Sequence, residues 1–224
     1  METREADEVD VDILLSTPEE SGDYDCAVPK EYAGDPDEEP DAVKAPPQPI
    51  TARCSREFRA VHDSGTRSTS QIGLIVIHCT ESTSARSSAQ WFANPASGGS
   101  AHVVADGIEC YRTLEDNQIP WAAPGANTRG FHIEIAGFAR WSEQVWLQRE
   151  KALRRAAFKA AFHADKFGVP VKLLTVDQLK TGKRGLVTHH LCTKAFGGDH
   201  TDPGANFPMD RFLAWTREFL GELD

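Results

Sequence analysis

Ile72-Gly73-Leu74-Ile75-Val76-Ile77-His78 is a nearly unbroken apolar run, rich in β-branched residues, that ends on a histidine. A strand that is apolar on alternate and intervening positions alike is buried on both faces. Such strands occupy the centre of sheets covered by helices on both sides. The carboxyl ends of those strands are where α/β folds place their sites. His78 stands at that end. By position alone it is either a functional imidazole or a histidine satisfied by hydrogen bonds at a strand end.

Working outward, residues 84–92 read as a short helix that stops near Asn94-Pro95. Residues 101–105 and 108–112 flank Asp106-Gly107, a favoured hairpin turn. Residues 131–136 alternate like a strand. Ser142 is a plausible N-cap for a helix reaching about residue 167, where Gly168 and Pro170 end it. Residues 186–190 read as another short strand. Pro208 opens a last helix through Phe212, Leu213, Trp215 and Leu220. Strands mixed with helices define the expected fold: α/β, one mixed β-sheet flanked by helices.

Charge divides the chain differently. Residues 1–50 hold 16 acids and 3 bases, with 7 of the 13 prolines. Residues 51–224 hold 18 acids and 21 bases. The net charge of −10 therefore belongs to the first segment. Little burial is available there to offset ordering entropy, so 1–50 reads as a disordered acidic tail. Within it, residues 9–15 could form a short helix. Residues 51–71 read as transitional, and 72–224 as the folded domain. The mildly basic remainder lacks the strong basic stripe of a nucleic-acid binder. No apolar run approaches the roughly 20 residues of a membrane helix. No basic start followed by an apolar stretch marks a secretory signal, so synthesis in a cytoplasm without a signal peptide is expected. The five cysteines, Cys26, Cys54, Cys79, Cys110 and Cys192, are odd in number and form no Cys-x-x-Cys pair. That favours a chain folded under reducing conditions over a disulfide framework.

Three places carry possible chemistry. The first is His78. The second is Thr188-His189-His190-Leu191-Cys192, followed by His200-Thr201-Asp202-Pro203-Gly204. Imidazoles and a carboxylate from distant parts of the chain can make a zinc site with one position left for water. On a strand, His189 and His190 point to opposite faces, so one of them binds. His189 with Cys192 is a rival pair, and Asp199 a rival carboxylate. His190 reads better as a core histidine and Cys192 as a small buried hydrophobe. The third is Glu134, in His132-Ile133-Glu134-Ile135-Ala136. Alternation puts His132 and Glu134 on one face and the isoleucines on the other. An acid inside an apolar strand is costly to bury unless paired or held as a general base. No His-Glu-x-x-His occurs, so the common metalloprotease signature is missing.

Together these residues resemble the zinc amidases of the N-acetylmuramoyl-L-alanine amidase type 2 family, which includes phage endolysins and is related to peptidoglycan recognition proteins. The resemblance covers about residues 72–222. Ile77-His78-Cys79 matches the first ligand motif, and Ser100-Ala101-His102-Val103-Val104 with Asp106-Gly107 matches the family hairpin. Trp121-Ala122-Ala123 with Asn127 sits where relatives often carry Trp-His-Ala-Gly. Residues 132–137 match the strand often written Ile-Gly-Ile-Glu, and residues 200–204 with Phe207-Pro208 match the closing motif.

The resemblance implies Zn2+ held by His78, His189 and Asp202, with His190 as fallback. It implies Glu134 and His200 as catalytic groups, and His102, Trp121 and Asn127 as substrate contacts. Many relatives carry a lysine at the position of His200, and some carry a tyrosine at that of Ala101. It further implies a monomer that cuts the amide between N-acetylmuramic acid and L-alanine in peptidoglycan, as a phage or prophage endolysin reaching the host cell wall. The alternative it leaves is a peptidoglycan-binding module without catalysis.

Overall fold

The computed structural model describes residues 28–33 and 53–223. Five strands form one mixed sheet: β1 (Leu74–Cys79), β2 (Val103–Ala105), β3 (Cys110–Arg112), β4 (Gly130–Ile135) and β5 (Gly185–Thr188). Their order is β3-β2-β4-β1-β5. Neighbours run parallel except the β2–β3 hairpin. The expected α/β fold with one mixed sheet is therefore what forms.

Strand β1 lies between β4 and β5, and all six of its residues are buried. Its odd positions Ile75 and Ile77 join Phe131, Ile133 and Ile135 of β4 in the larger core. Its even positions Leu74 and Val76 face the opposite side, with Val187, Leu174 and Cys192. His78 continues that even series, and its register partner in β4 is Glu134. Parallel pairing thus sets two candidate site residues next to each other on one face.

Seven helices are described: α1 (Lys30–Ala33), α2 (Ala85–Phe92), α3 (Glu143–Gln148), α4 (Glu150–Phe167), α5 (Val176–Lys180), α6 (His189–Phe196) and α7 (Met209–Leu223). Ser84 caps α2 by accepting from Ser87 N. Helix α4 covers the larger core with a stripe of small residues, Ala156, Ala157, Ala160, Ala161 and Ala164 around Leu153. Phe212, Leu213, Trp215 and Phe219 of α7 fill the same core. Each large apolar side chain buried there contributes about 1.5–3 kcal/mol.

Three sequence expectations change. The single helix from Ser142 is two helices: Ser142 caps α3, and the chain breaks at Arg149 (φ −96°, ψ 32°) before α4. Gly168 ends α4 in the left-handed conformation, as its sequence position suggested. The strand over 186–190 stops at Thr188. Its side chain accepts from Leu191 N as an N-cap, so His189 and His190 open α6 instead of alternating on a strand. The cysteine reading also fails, because Cys54 and Cys110 form a disulfide. Parity counts thiols without placing them. Ser55 N donates to Cys110 O and Arg112 N to Ser55 O, which lays residues 53–55 along β3 and brings the two sulfurs together. Cys79 and Cys192 are free and buried.

Residues 53–71 continue along the hairpin edge, with Ala60 N donating to Thr113 O and Arg67 N to Asn117 O. Within the stretch read as a tail, residues 28–33 are docked: Thr83 N donates to Ala33 O, and Val28 is buried. Cys26 and the helix expected over 9–15 lie outside the described residues.

His163 on α4 carries a stability prediction. Its ring stacks on Phe131 at 3.8 Å, its Nδ1–H donates to Lys159 O at 2.8 Å, and Arg112 Nη1 approaches its Nε2 at 3.2 Å. Burial, with the nearby Arg112 charge, pulls the imidazole down from 6.5 to about 3. The unfolded chain takes up this proton near pH 6.5 while the folded chain does not. Stability therefore falls as pH drops through 6.5 toward 3, by about 1.4 kcal/mol per pH unit for one such proton. His163→Gln should flatten the stability slope between pH 6 and 4 by about that amount. Urea titrations across this range showing an unaltered slope would contradict it.

Candidate metal centre

Three elements converge at the carboxyl end of β1. The strand delivers His78, the first residue of α6 delivers His189, and the loop between α6 and α7 delivers Asp202. Their exposures are 0%, 2% and 8%. His78 Nδ1 lies 3.2 Å from His189 Nδ1 and 3.2 Å from Asp202 Oδ2, and His189 Nδ1 lies 3.0 Å from Asp202 Oδ1. A tetrahedral zinc ion with bonds near 2.0–2.1 Å needs ligand atoms about 3.3 Å apart. Two imidazoles and a carboxylate at this spacing fit such an ion, and among the described residues they are the one group that does.

Electrostatics agree with that fit. Burial pushes His78 down to about 4. Burial would raise Asp202, but the close imidazoles of His189, His200 and His78 outweigh it and hold the carboxyl well below its usual range. A neutral His78 beside an ionised carboxylate is the protonation a cation needs.

Behind the triad lies a chain of histidines. His78 Nε2 is 3.0 Å from His132 Nδ1. With His78 Nδ1 turned to the triad, its Nε2–H donates to His132, which fixes the ring's tautomer and tilt. His132 N donates to His102 Nδ1 at 3.0 Å. Arg67, buried, reaches His102 Nε2 at 3.1 Å and Gly130 O at 2.8 Å, and also bonds Asn127 O. Sequence reading passed over His132 and Arg67 as site residues. The alternation that set His132 on the face of Glu134 held the clue for the first. Nothing in the unassigned segment pointed to the second.

Glu134 is fully buried, and Oε1 lies 3.9 Å from His78 Nδ1. Neither carboxylate oxygen has a hydrogen-bond partner among the described residues. Burial, and then the charges of Asp202 and Glu81, raise its pKa well above the carboxylate range. His200 stacks on His189 at 4.2 Å, with Nδ1 3.7 Å from Asp202 Oδ1. Glu134, His189, His200 and Asp202 line one cleft of 560 Å³. Gly204, with φ +94°, closes the loop so tightly that a Cβ there would run into Ala139 O. Asp199 is exposed and lines the same cleft.

The expected substrate contacts lie elsewhere. His102 is wholly buried and spends both ring nitrogens on the framework. Asn127, 1% exposed, holds Ala122 N and Ala123 N with its side-chain oxygen. Neither side chain has the exposure to touch a sugar or a peptide. Trp121 is half-buried, stacks on His62 at 4.6 Å and donates from Nε1 to Ser64 Oγ; it does not line the cleft. His190 is not one of the clustered donors, and its backbone N–H donates to Asp202 O. Cys192 packs in the smaller core.

A mixed sheet carrying a His-His-Asp cluster at the carboxyl ends of its strands defines a class of α/β domain with a candidate metal centre. The sequence places the chain within that class: the family model of N-acetylmuramoyl-L-alanine amidase matches residues 68–205, and the chain belongs to this family. The fold is similar to that of the hydrolase AmiA of Staphylococcus aureus, solved in complex with its ligand. The two share 18% identity over 80% of this chain and 85% of that one, with a TM-score of 0.61. The catalytic domain of XlyA is similar at 19% identity over 73% of this chain and 99% of that one, TM-score 0.50. The catalytic domain of PlyG is similar at 14% identity over 76% and 93%, TM-score 0.50. No curated protein matches the sequence.

Proposed function

We propose that the protein is a zinc-dependent amidase that hydrolyses the bond between the lactyl carbonyl of N-acetylmuramic acid and L-alanine in bacterial peptidoglycan. The observation that carries this reading is Glu134: a buried carboxyl with no hydrogen-bond partner among the described residues, facing the donor triad across the family's expected site. A group so costly to bury is kept where it has chemistry to do.

His78, His189 and Asp202 would hold the ion. Zinc bound there supplies a Lewis acid, which polarises a carbonyl oxygen and makes water more acidic. Glu134, kept basic enough by its apolar surroundings, accepts the proton of the attacking water and aims its oxygen at the carbonyl carbon. His200 at the cleft rim donates to the oxyanion that forms. The proton then passes to the departing alanine nitrogen, leaving a free amine and a lactyl carboxylate. The setting we propose is the bacterial cell wall, attacked as an endolysin attacks it. No described helix is long and apolar enough to cross a membrane.

Zinc content and mass spectrometry of digested peptidoglycan test this together. About one zinc per chain and stem peptides with a free L-alanine N-terminus are expected. Zinc with intact sugar–peptide bonds would instead support a binding module without catalysis.

A further inference from the structure

The cleft holds one feature that hydrolysis does not use. Arg140 is the one arginine or lysine among its described lining residues, where Glu81, Glu134, Asp199 and Asp202 also lie. Its guanidinium lies over the Phe138 ring at 4.4 Å, and Phe138 is buried, so the ring is a fixed platform. Nη1 stands 3.9 Å from Glu81 Oε2, beyond hydrogen-bond range, and the Arg140 side chain is 58% exposed. Among the described residues it has no hydrogen-bond partner. Its planar fork of N–H donors is therefore held in place yet open to the cleft.

Glu81 positions this fork. Its backbone takes the left-handed conformation (φ 51°), uncommon for a residue with a side chain. Its Oε1 accepts from Ala139 N at 2.7 Å, which ties the loop bearing Arg140 to the end of β1. Glu81 follows His78 by three residues, so their Cα atoms are at most about 10 Å apart. Arg140 lines the same cleft as His189 and Asp202, so a peptide whose first amide sits at the triad can run past it. As the one permanent side-chain cation among the described lining residues, Arg140 is the docking point for a carboxylate on that peptide.

We infer that Arg140 is a specificity-determining residue that binds a free carboxylate on the acidic second residue of the peptide stem, against the amidated form. This rests on the amidase reading above. The test uses two synthetic N-acetylmuramoyl-L-alanyl-D-glutamyl peptides, one with a free α-carboxylate and one with the α-carboxamide. A charge-assisted fork predicts a kcat/KM for the free acid about 10- to 100-fold higher, carried mainly by KM. In Arg140→Gln the ratio should fall to near one, and Arg140→Lys should keep part of it. A ratio near one in the wild type, or one unaltered by Arg140→Gln, overturns the inference and leaves the amidase reading intact. Failure of the wild type to cut either peptide overturns the amidase reading and this inference with it.

Discussion

Glu134→Gln is expected to lower kcat by about 10²- to 10⁴-fold, the usual contribution of a positioned general base, while zinc content stays near one per chain. The two side chains are isosteric, so packing in β4 is preserved. What changes is the capacity to take a proton. Glu134 is not among the three residues whose donor atoms cluster, so removing its charge leaves the ion's ligands untouched. The substitution also deletes a buried acid whose pKa burial and Asp202 both raise, so folding should not suffer. Melting temperature at or above that of the wild type, metal content and turnover on peptidoglycan form one decisive set. Full activity in this variant would remove Glu134 from the mechanism. Parallel loss of zinc would make it a ligand.

Asp202→Ala should abolish both metal binding and activity. The carboxylate lies 3.2 Å from His78 Nδ1 through one oxygen and 3.0 Å from His189 Nδ1 through the other. It is the one anionic member of the triad, so without it a dication meets two neutral rings alone. Loss of an outer partner of a metal ligand costs about 10- to 100-fold in affinity, and loss of a ligand should cost more. Zinc titrated against thermal or urea unfolding reports this directly. At free zinc 100 times Kd the wild type gains about 2.7 kcal/mol of stability, and the variant should gain almost none. Wild-type metal affinity in Asp202→Ala would place the ion elsewhere.

Much of this protein was legible along the chain. The β-branched run at 72–78 identified a central strand, because a strand covered on both faces has no room for polar side chains. Ser142, Asp106-Gly107 and Gly168 marked a cap, a turn and a helix end through chemistry local to each. Strand alternation put Glu134 on a face of its own. Other features needed partners far away in sequence. His189 was read on a strand because nothing nearby reveals that Thr188 has become an N-cap. His102 and Asn127, polar and within matching motifs, looked like contacts, yet burial committed them to the framework.

The sheet-centred fold, the family and the residue types that could bind a cation are all legible in one dimension. Periodicity, capping and turn preferences are properties of neighbours a few positions apart, and they survive in one dimension. The rest came from folding in three dimensions. It joined Cys54 to Cys110, ran His78 back through His132 to His102 and Arg67, and set Arg140 against Glu81 beside the triad. These are contacts between segments separated by tens of residues. Their distances depend on strand register and loop closure, which the whole folded chain sets together.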